Sequence, residues 1–77
     1  MLAQALTDIR KAQGLKQRVV LERLANRGAN IDASAFSKIE GGHRCITDKE
    51  LFALSRVYNV DVGYIYQMAF NIQANNR

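Results

Sequence analysis

Apolar residues recur at the spacing of an α-helix along the whole chain, and this periodicity restricts the fold more than any other feature. Leu2, Leu6 and Ile9 fall on one side of the first segment, and Leu51 and Leu54 begin the same pattern in a later one. No run alternates apolar and polar residues as a half-buried β-strand would. The sequence therefore predicts an all-α fold, a compact bundle of five helices.

Capping residues and glycines mark where these helices begin and end. Gly14 and Gly28 are expected to stop the first two helices, since glycine readily adopts the left-handed conformation that follows a helix. The tetrapeptide 47–50, Thr-Asp-Lys-Glu, matches a capping box at the start of the fourth helix. Asp61 is expected to cap a fifth helix over about residues 61–72.

Residues 31–44 are predicted to form a short helix followed by a basic loop. Asp32 can cap this helix, which would end at the Gly-Gly pair that follows Glu40. Phe36 and Ile39 would face the core. The outer face would carry only small or basic groups: Ala33, Ser34, Ser37 and Lys38. A low, lightly basic helix face of this kind suits insertion into a DNA groove.

Seventy-seven residues suffice for one small domain, predicted to span residues 1–77.

The charge of the chain is concentrated in one segment. Residues 10–44 hold eight Lys and Arg against three Asp and Glu, a net charge of +5, whereas the remainder carries −1. Such a segment favours a polyanionic partner, although a solvated basic surface has the same composition.

Several classes of function are excluded by what the sequence lacks. No apolar run approaches the roughly 18 residues that a membrane-spanning helix needs, so no membrane association is expected. The single cysteine, Cys45, rules out an internal disulfide and fits a cytoplasmic protein. His43 and Cys45 are too few ligands for a zinc site, and no phosphate-binding motif is present. We expect no metal, no cofactor, no small-molecule ligand and no enzymatic activity.

The order of these segments resembles the Cro/CI-type helix-turn-helix domain, the XRE family, which has a lambda-repressor-like fold. The resemblance covers about residues 5–66. No single motif is diagnostic of the family, but the matching positions occur in the same order and at suitable spacing. The matching positions are Leu6, Ile9, Arg10, Gly14, Leu15, Gln17, Val20, Leu24, Ile31, Phe36 to Gly42, and Leu51 through Val60.

This resemblance implies a role for each matched position. The helix-turn-helix would span about residues 17–40, and helix 32–40 would lie in the major groove with Ala33, Ser34, Ser37 and Lys38 at the base edges. Arg10 and Glu40 would form a structural ion pair. DNA phosphates would be contacted by Gln17, Arg18, Arg27, Gly42, His43 and Arg44.

The chain departs from the family pattern in two places. Residues 25–30 are predicted to form the turn between the two helices, about five residues more than is usual in the family. Leu21 stands where the family favours a small residue, because two helices touch there. A longer turn would let the third helix stand off far enough to accept Leu21, and would give Arg27 a phosphate contact.

The last predicted helix carries more apolar residues than one core face needs. Tyr66 and Phe70 form a second stripe beside the core stripe, and this second stripe is a candidate homodimer surface. Alternatively, both stripes close the open end of a small core.

Together these features predict a sequence-specific DNA-binding transcriptional regulator, a repressor that occupies double-stranded operator DNA, as a homodimer if the second stripe is an interface. The alternative is a protein-interaction module, an antitoxin or adaptor, on the same fold. The salt dependence of binding separates the two, since only a DNA binder releases counterions from phosphates.

Overall fold

Residues 2–75, the part of the chain that the computed structural model describes, form five α-helices and no strand. The prediction of an all-α five-helix bundle is confirmed. None of these helices is long and apolar enough to cross a membrane. The helices are α1 (Leu2–Ala12), α2 (Gln17–Asn26), α3 (Ala33–Glu40), α4 (Asp48–Val57) and α5 (Val62–Asn75).

Side-chain caps begin α3 and α4 as the sequence predicts. A carboxylate oxygen of Asp32 accepts from the amide of Ala35 at 2.7 Å. At α4 the amide of Glu50 donates to the Thr47 hydroxyl at 3.1 Å, and the Glu50 carboxylate accepts from the Thr47 amide at 3.0 Å, which completes the capping box. Lys16 precedes α2 and provides no side-chain cap.

The first four helices end in the same backbone motif. At the end of α3 the amide of His43 donates to the carbonyl of Lys38 at 2.8 Å, and the amide of Gly42 donates to the carbonyl of Ile39 at 3.1 Å. This Schellman arrangement requires a left-handed residue one position before His43. That position has a positive φ in all four cases, and it is occupied by Gly14, Gly28, Gly42 and Asn59.

The core lies where α1 packs against α5 and α3, and where α2 packs against α3 and α4. On α3, Phe36 and Ile39 are buried, so this short helix is held between α1 and α2 by two large side chains. The other core side chains come from the remaining four helices, from the turn before α3 and from the residue that follows α4: Leu6, Ile9, Val20, Leu24, Ile31, Leu51, Leu54, Val57, Tyr58 and Ile65.

The turn between α2 and α3 lies later in the chain than predicted. Ala25 and Asn26 belong to α2, and the connection consists of residues 27–32. The helix continues because Gly28 is the first residue there that adopts a positive φ. Ile31 is buried and anchors this turn to the core, while Leu21 is half-buried at the edge of the core.

Candidate nucleic-acid interface

The outward face of α3 is open to solvent. Ala33, Ser34, Ser37 and Lys38 are all exposed, whereas Phe36 and Ile39 on the opposite side are buried. This division follows from the helical repeat, which places residues three and four apart on one side. The structure therefore brings the predicted base-reading residues together on one accessible surface.

A largely buried ion pair ties the end of α3 to α1. Arg10 donates from Nε to Glu40 Oε2 at 2.7 Å and from Nη2 to Glu40 Oε1 at 3.1 Å. The two side chains are 12% and 7% exposed. A third donor, Arg10 Nη1, reaches the carbonyl of Leu15 at 2.9 Å. The hydrogen bonds to Glu40 raise the pKa of Arg10 above its ordinary value, so this guanidinium stays charged.

Gln17 extends the same network to the face of α3. Its Nε2 donates to Glu40 Oε1 at 2.7 Å, and its Oε1 accepts from the Ser37 hydroxyl at 3.3 Å. The side-chain amide has a second hydrogen on Nε2, which this network leaves for an external acceptor. Gln17 and Ser37, predicted to contact a phosphate and a base respectively, thus lie side by side.

The start of α2 provides a second group of donors at this surface. Lys16 provides no side-chain cap, and its carbonyl accepts from the amides of Val19 and Val20, so the amides of Gln17 and Arg18 remain at the positive end of the helix dipole. Arg18 is exposed beside them. Helix N-termini of this kind bind phosphate groups through backbone N–H donors.

The loop after α3 is shaped by a close contact between Gly41 and His43. A Cβ atom at Gly41 would lie 2.9 Å from Cδ2 of the His43 ring, so a larger residue would displace the imidazole. Gly42 follows with a φ of +78°. His43 itself is exposed, and it precedes Arg44 in the loop that leads to α4.

Arg44 pairs with Glu50, a contact that the sequence does not predict. Arg44 Nη1 and Nη2 each lie 3.0 Å from a different carboxylate oxygen of Glu50. Hydrogen bonding from Arg44, together with that from Thr47, lowers the pKa of Glu50 below its ordinary value. Arg44 thereby attaches the loop to α4, and a phosphate contact would have to use its remaining donors. No local pattern signals a pair six residues apart across a loop.

Arg27 lies apart from the other predicted phosphate contacts. It lines surface concavities with Arg23, Asn26 and Arg56, and no residue from the outward face of α3 lines them. Residues 27–31 line one of these concavities together with residues of α4, so this turn lies beside α4.

The two aromatic residues of the predicted dimer surface are exposed. Tyr66 is 52% and Phe70 64% exposed, while Ile65 and Ala69 on the neighbouring stripe of α5 are buried. One stripe of α5 therefore completes the core, and the other remains uncovered within this chain. Two more exposed aromatic residues, Phe52 and Tyr64, lie outside the predicted dimer surface.

The described residues contain no cluster of three or more His, Cys, Asp or Glu side chains that could hold a metal ion. Cys45 is an exposed free thiol.

The chain was compared with known protein families, curated proteins and solved structures. The family model described as helix-turn-helix matches residues 6–65. No curated protein and no solved structure shows significant similarity to the chain. The matched span runs from the first buried turn of α1 into the first turn of α5, and so includes every residue of the α2–α3 surface described above.

Proposed function

Because the chain belongs to the XRE (Cro/CI-type) helix-turn-helix family of DNA-binding transcription regulators, we propose that it is a repressor that inserts α3 into the major groove of an operator. The observation that carries this proposal is the exposed, lightly basic face of α3. The Arg10–Glu40–Gln17 network holds the end of this helix against α1 and α2.

The exposed residues of α3 have the chemistry needed to distinguish bases. Lys38 can donate to O6 and N7 of guanine, and the methyl group of Ala33 can contact the C5-methyl of thymine. Ser34 and Ser37 can donate to or accept from either base of a pair. These four side chains are the proposed source of sequence specificity.

Phosphate contacts are proposed on both sides of α3. Gln17 and Arg18 with the first amides of α2 would bind the backbone on one side, and Gly42, His43 and Arg44 would bind it on the other. Arg27 is a weaker candidate, because it lines concavities with Arg56 rather than the α3 surface.

Residues 1–77 are proposed to form one domain, and the proposed active form is a homodimer in the cytoplasm. Tyr66 and Phe70 supply its candidate interface. Two copies related by a two-fold axis would bind half-sites about one helical turn apart, roughly 34 Å. Occupying the operator requires no catalysis and no cofactor.

Selection of bound fragments from a pool of random DNA duplexes tests this function. We expect a two-fold symmetric consensus, and a log–log salt slope of about −4 to −5 for roughly five phosphate contacts. Lys38→Ala should cost about 1–3 kcal/mol at one base position.

Lys49→Ala, at an exposed lysine on α4, is the matched control and should leave affinity and consensus unchanged. A weak salt slope with no enriched duplex would contradict DNA binding, and would favour the antitoxin or adaptor alternative.

A further inference from the structure

A concavity of about 400 Å³ separates the 27–31 turn from the exposed side of α4, and we call it the turn–α4 groove. Apolar side chains of Ala29, Ile31, Phe52 and Ala53 line it. The basic residues that line it are Arg27, Lys49 and Arg56. The exposed residues of α3 make no part of this groove, so an occupant would leave the proposed DNA-binding face open.

Phe52 provides an exposed apolar surface at the groove. The residue is 57% exposed, although it stands one position after the buried Leu51. The guanidinium carbon of Arg56 lies 5.3 Å from the centroid of the Phe52 ring, within the range of a cation–π interaction. This contact places the flat apolar ring of Phe52 and the positive charge of Arg56 side by side in the groove.

The charge of the groove is positive and largely uncompensated. The two salt bridges among residues 2–75 involve Arg10 and Arg44, so neither Arg27, Lys49 nor Arg56 has a partner of this kind there. Glu50 also lines the groove, but its carboxylate is bonded to Arg44. Arg23 adds a further positive charge in an adjoining concavity that Arg27 and Arg56 share.

Three kinds of occupant can be compared on these grounds. In a two-fold symmetric contact, a second copy of the chain would bring Arg27, Lys49 and Arg56 against an identical basic surface, which is unfavourable. A DNA backbone would satisfy the charges but has no apolar side chain to bury against Phe52 and Ile31. An acidic segment with a large apolar side chain satisfies both the charge and the apolar lining.

We propose that the turn–α4 groove binds an acidic segment of a partner protein, which inserts an aromatic or aliphatic side chain beside Phe52. Carboxylates of the segment pair with Arg27, Lys49 and Arg56. This inference does not depend on DNA binding by α3.

A random-peptide display library, selected on the immobilised full chain, tests the proposal. We expect the enriched peptides to carry several Asp or Glu residues around a Trp, Phe or Leu. Arg56→Glu and Phe52→Ala should each weaken binding of a synthetic enriched peptide by about tenfold or more, as for interface hot spots. Lys38→Ala, at an exposed lysine outside the groove, should leave peptide affinity unchanged.

Circular dichroism of both variants checks folding, and Arg56→Glu alone decides the outcome if Phe52→Ala unfolds. The proposal is overturned if no peptide is enriched, if the enriched peptides are not acidic, or if Arg56→Glu binds them as well as the unaltered chain. It is also overturned if Arg56→Glu abolishes self-association in sedimentation, or lowers duplex affinity more than Lys38→Ala does, because the groove would then be a dimer or DNA contact.

Discussion

At the scale of single residues, Glu40 makes the most consequential contacts in the molecule. Its carboxylate accepts two hydrogen bonds from Arg10 and one from Gln17, so one side chain at the end of α3 connects α1, α2 and α3. Both members of the ion pair are largely removed from solvent. A pair of this kind fixes the position of α3 relative to α1, because either charge would be strongly unfavourable in such a site without its partner.

We expect Glu40→Ala to lower the free energy of unfolding by about 3 kcal/mol, because Arg10 would remain charged and partly buried without its partner. Urea denaturation of the purified protein measures this change. The control is Glu22→Gln, an exposed carboxylate on α2, which should change stability by less than about 0.5 kcal/mol. A similar small effect for Glu40→Ala would show that the ion pair is not structural.

Glu50 makes stability depend on pH. Its folded-state pKa is lowered chiefly by Arg44, so its contribution is present above its ordinary pKa of 4.5 and is lost as pH falls through the lower folded-state value. The difference in melting temperature between the unaltered protein and Glu50→Gln should therefore be largest near neutral pH and shrink in acid below pH 4.5. A difference that stays constant with pH would contradict this assignment, and Glu22→Gln serves again as control.

At the scale of elements, α3 depends on its ends and on two core side chains. With eight residues it is too short to be stable as an isolated helix. Asp32 caps its start, the Schellman motif closes its end, and Phe36 and Ile39 bury its inner face. The outward residues of α3 are therefore not needed to stabilise the helix, apart from the hydrogen bond that Ser37 donates to Gln17.

The same substitution at two glycines should have opposite effects. Gly42→Ala should destabilise by about 1–2 kcal/mol, because the φ of +78° is unfavourable for any residue with a Cβ atom. Gly63→Ala, within α5, should stabilise by about 0.5–1 kcal/mol through helix propensity. A Cβ atom at either position meets nothing within 4 Å, so steric clashes do not contribute to the difference in stability between the two variants. Thermal unfolding measures both changes in stability. If both substitutions stabilised or both destabilised the protein, the explanation from backbone conformation would be wrong.

At the scale of the whole molecule, four exposed aromatic residues surround a small core. Tyr66 and Phe70 share one side of α5, whereas Tyr64, two residues before Tyr66, lies on the opposite side of that helix. Phe52 belongs to the turn–α4 groove. The molecule therefore presents an α3 surface proposed for DNA, an α5 stripe proposed for a second copy, and a groove proposed for an acidic partner.

Replacing both Tyr66 and Phe70 by Ser should convert the proposed dimer to a monomer, because the interface would lose its apolar area. Analytical ultracentrifugation measures this change, and affinity for a symmetric operator should fall on the order of a hundredfold through lost bivalency. Tyr64→Ser is the matched control and should remain dimeric. A dimer that survives the double substitution would place the interface elsewhere.

Local sequence patterns predict the five helices and the outward face of α3, although they place the turn between α2 and α3 two residues too early. Caps at Asp32 and Thr47, a left-handed stop at Gly42 and the apolar spacing are interactions within about one turn of chain, so they are readable without knowing what packs where. The pairing of Arg10 with Glu40 was predicted only through the family resemblance, since thirty residues separate the two.

Which distant side chains meet follows from the packing of the helices and loops. The bonds of Gln17 to Glu40 and Ser37, the pair of Arg44 and Glu50, and the groove beside Phe52 all depend on how the helices and loops pack. The helix-two stop at Gly28 was readable locally, but the course of residues 27–32 along α4 was not. The physical reason is that this course depends on burying Ile31 in a core to which every helix contributes.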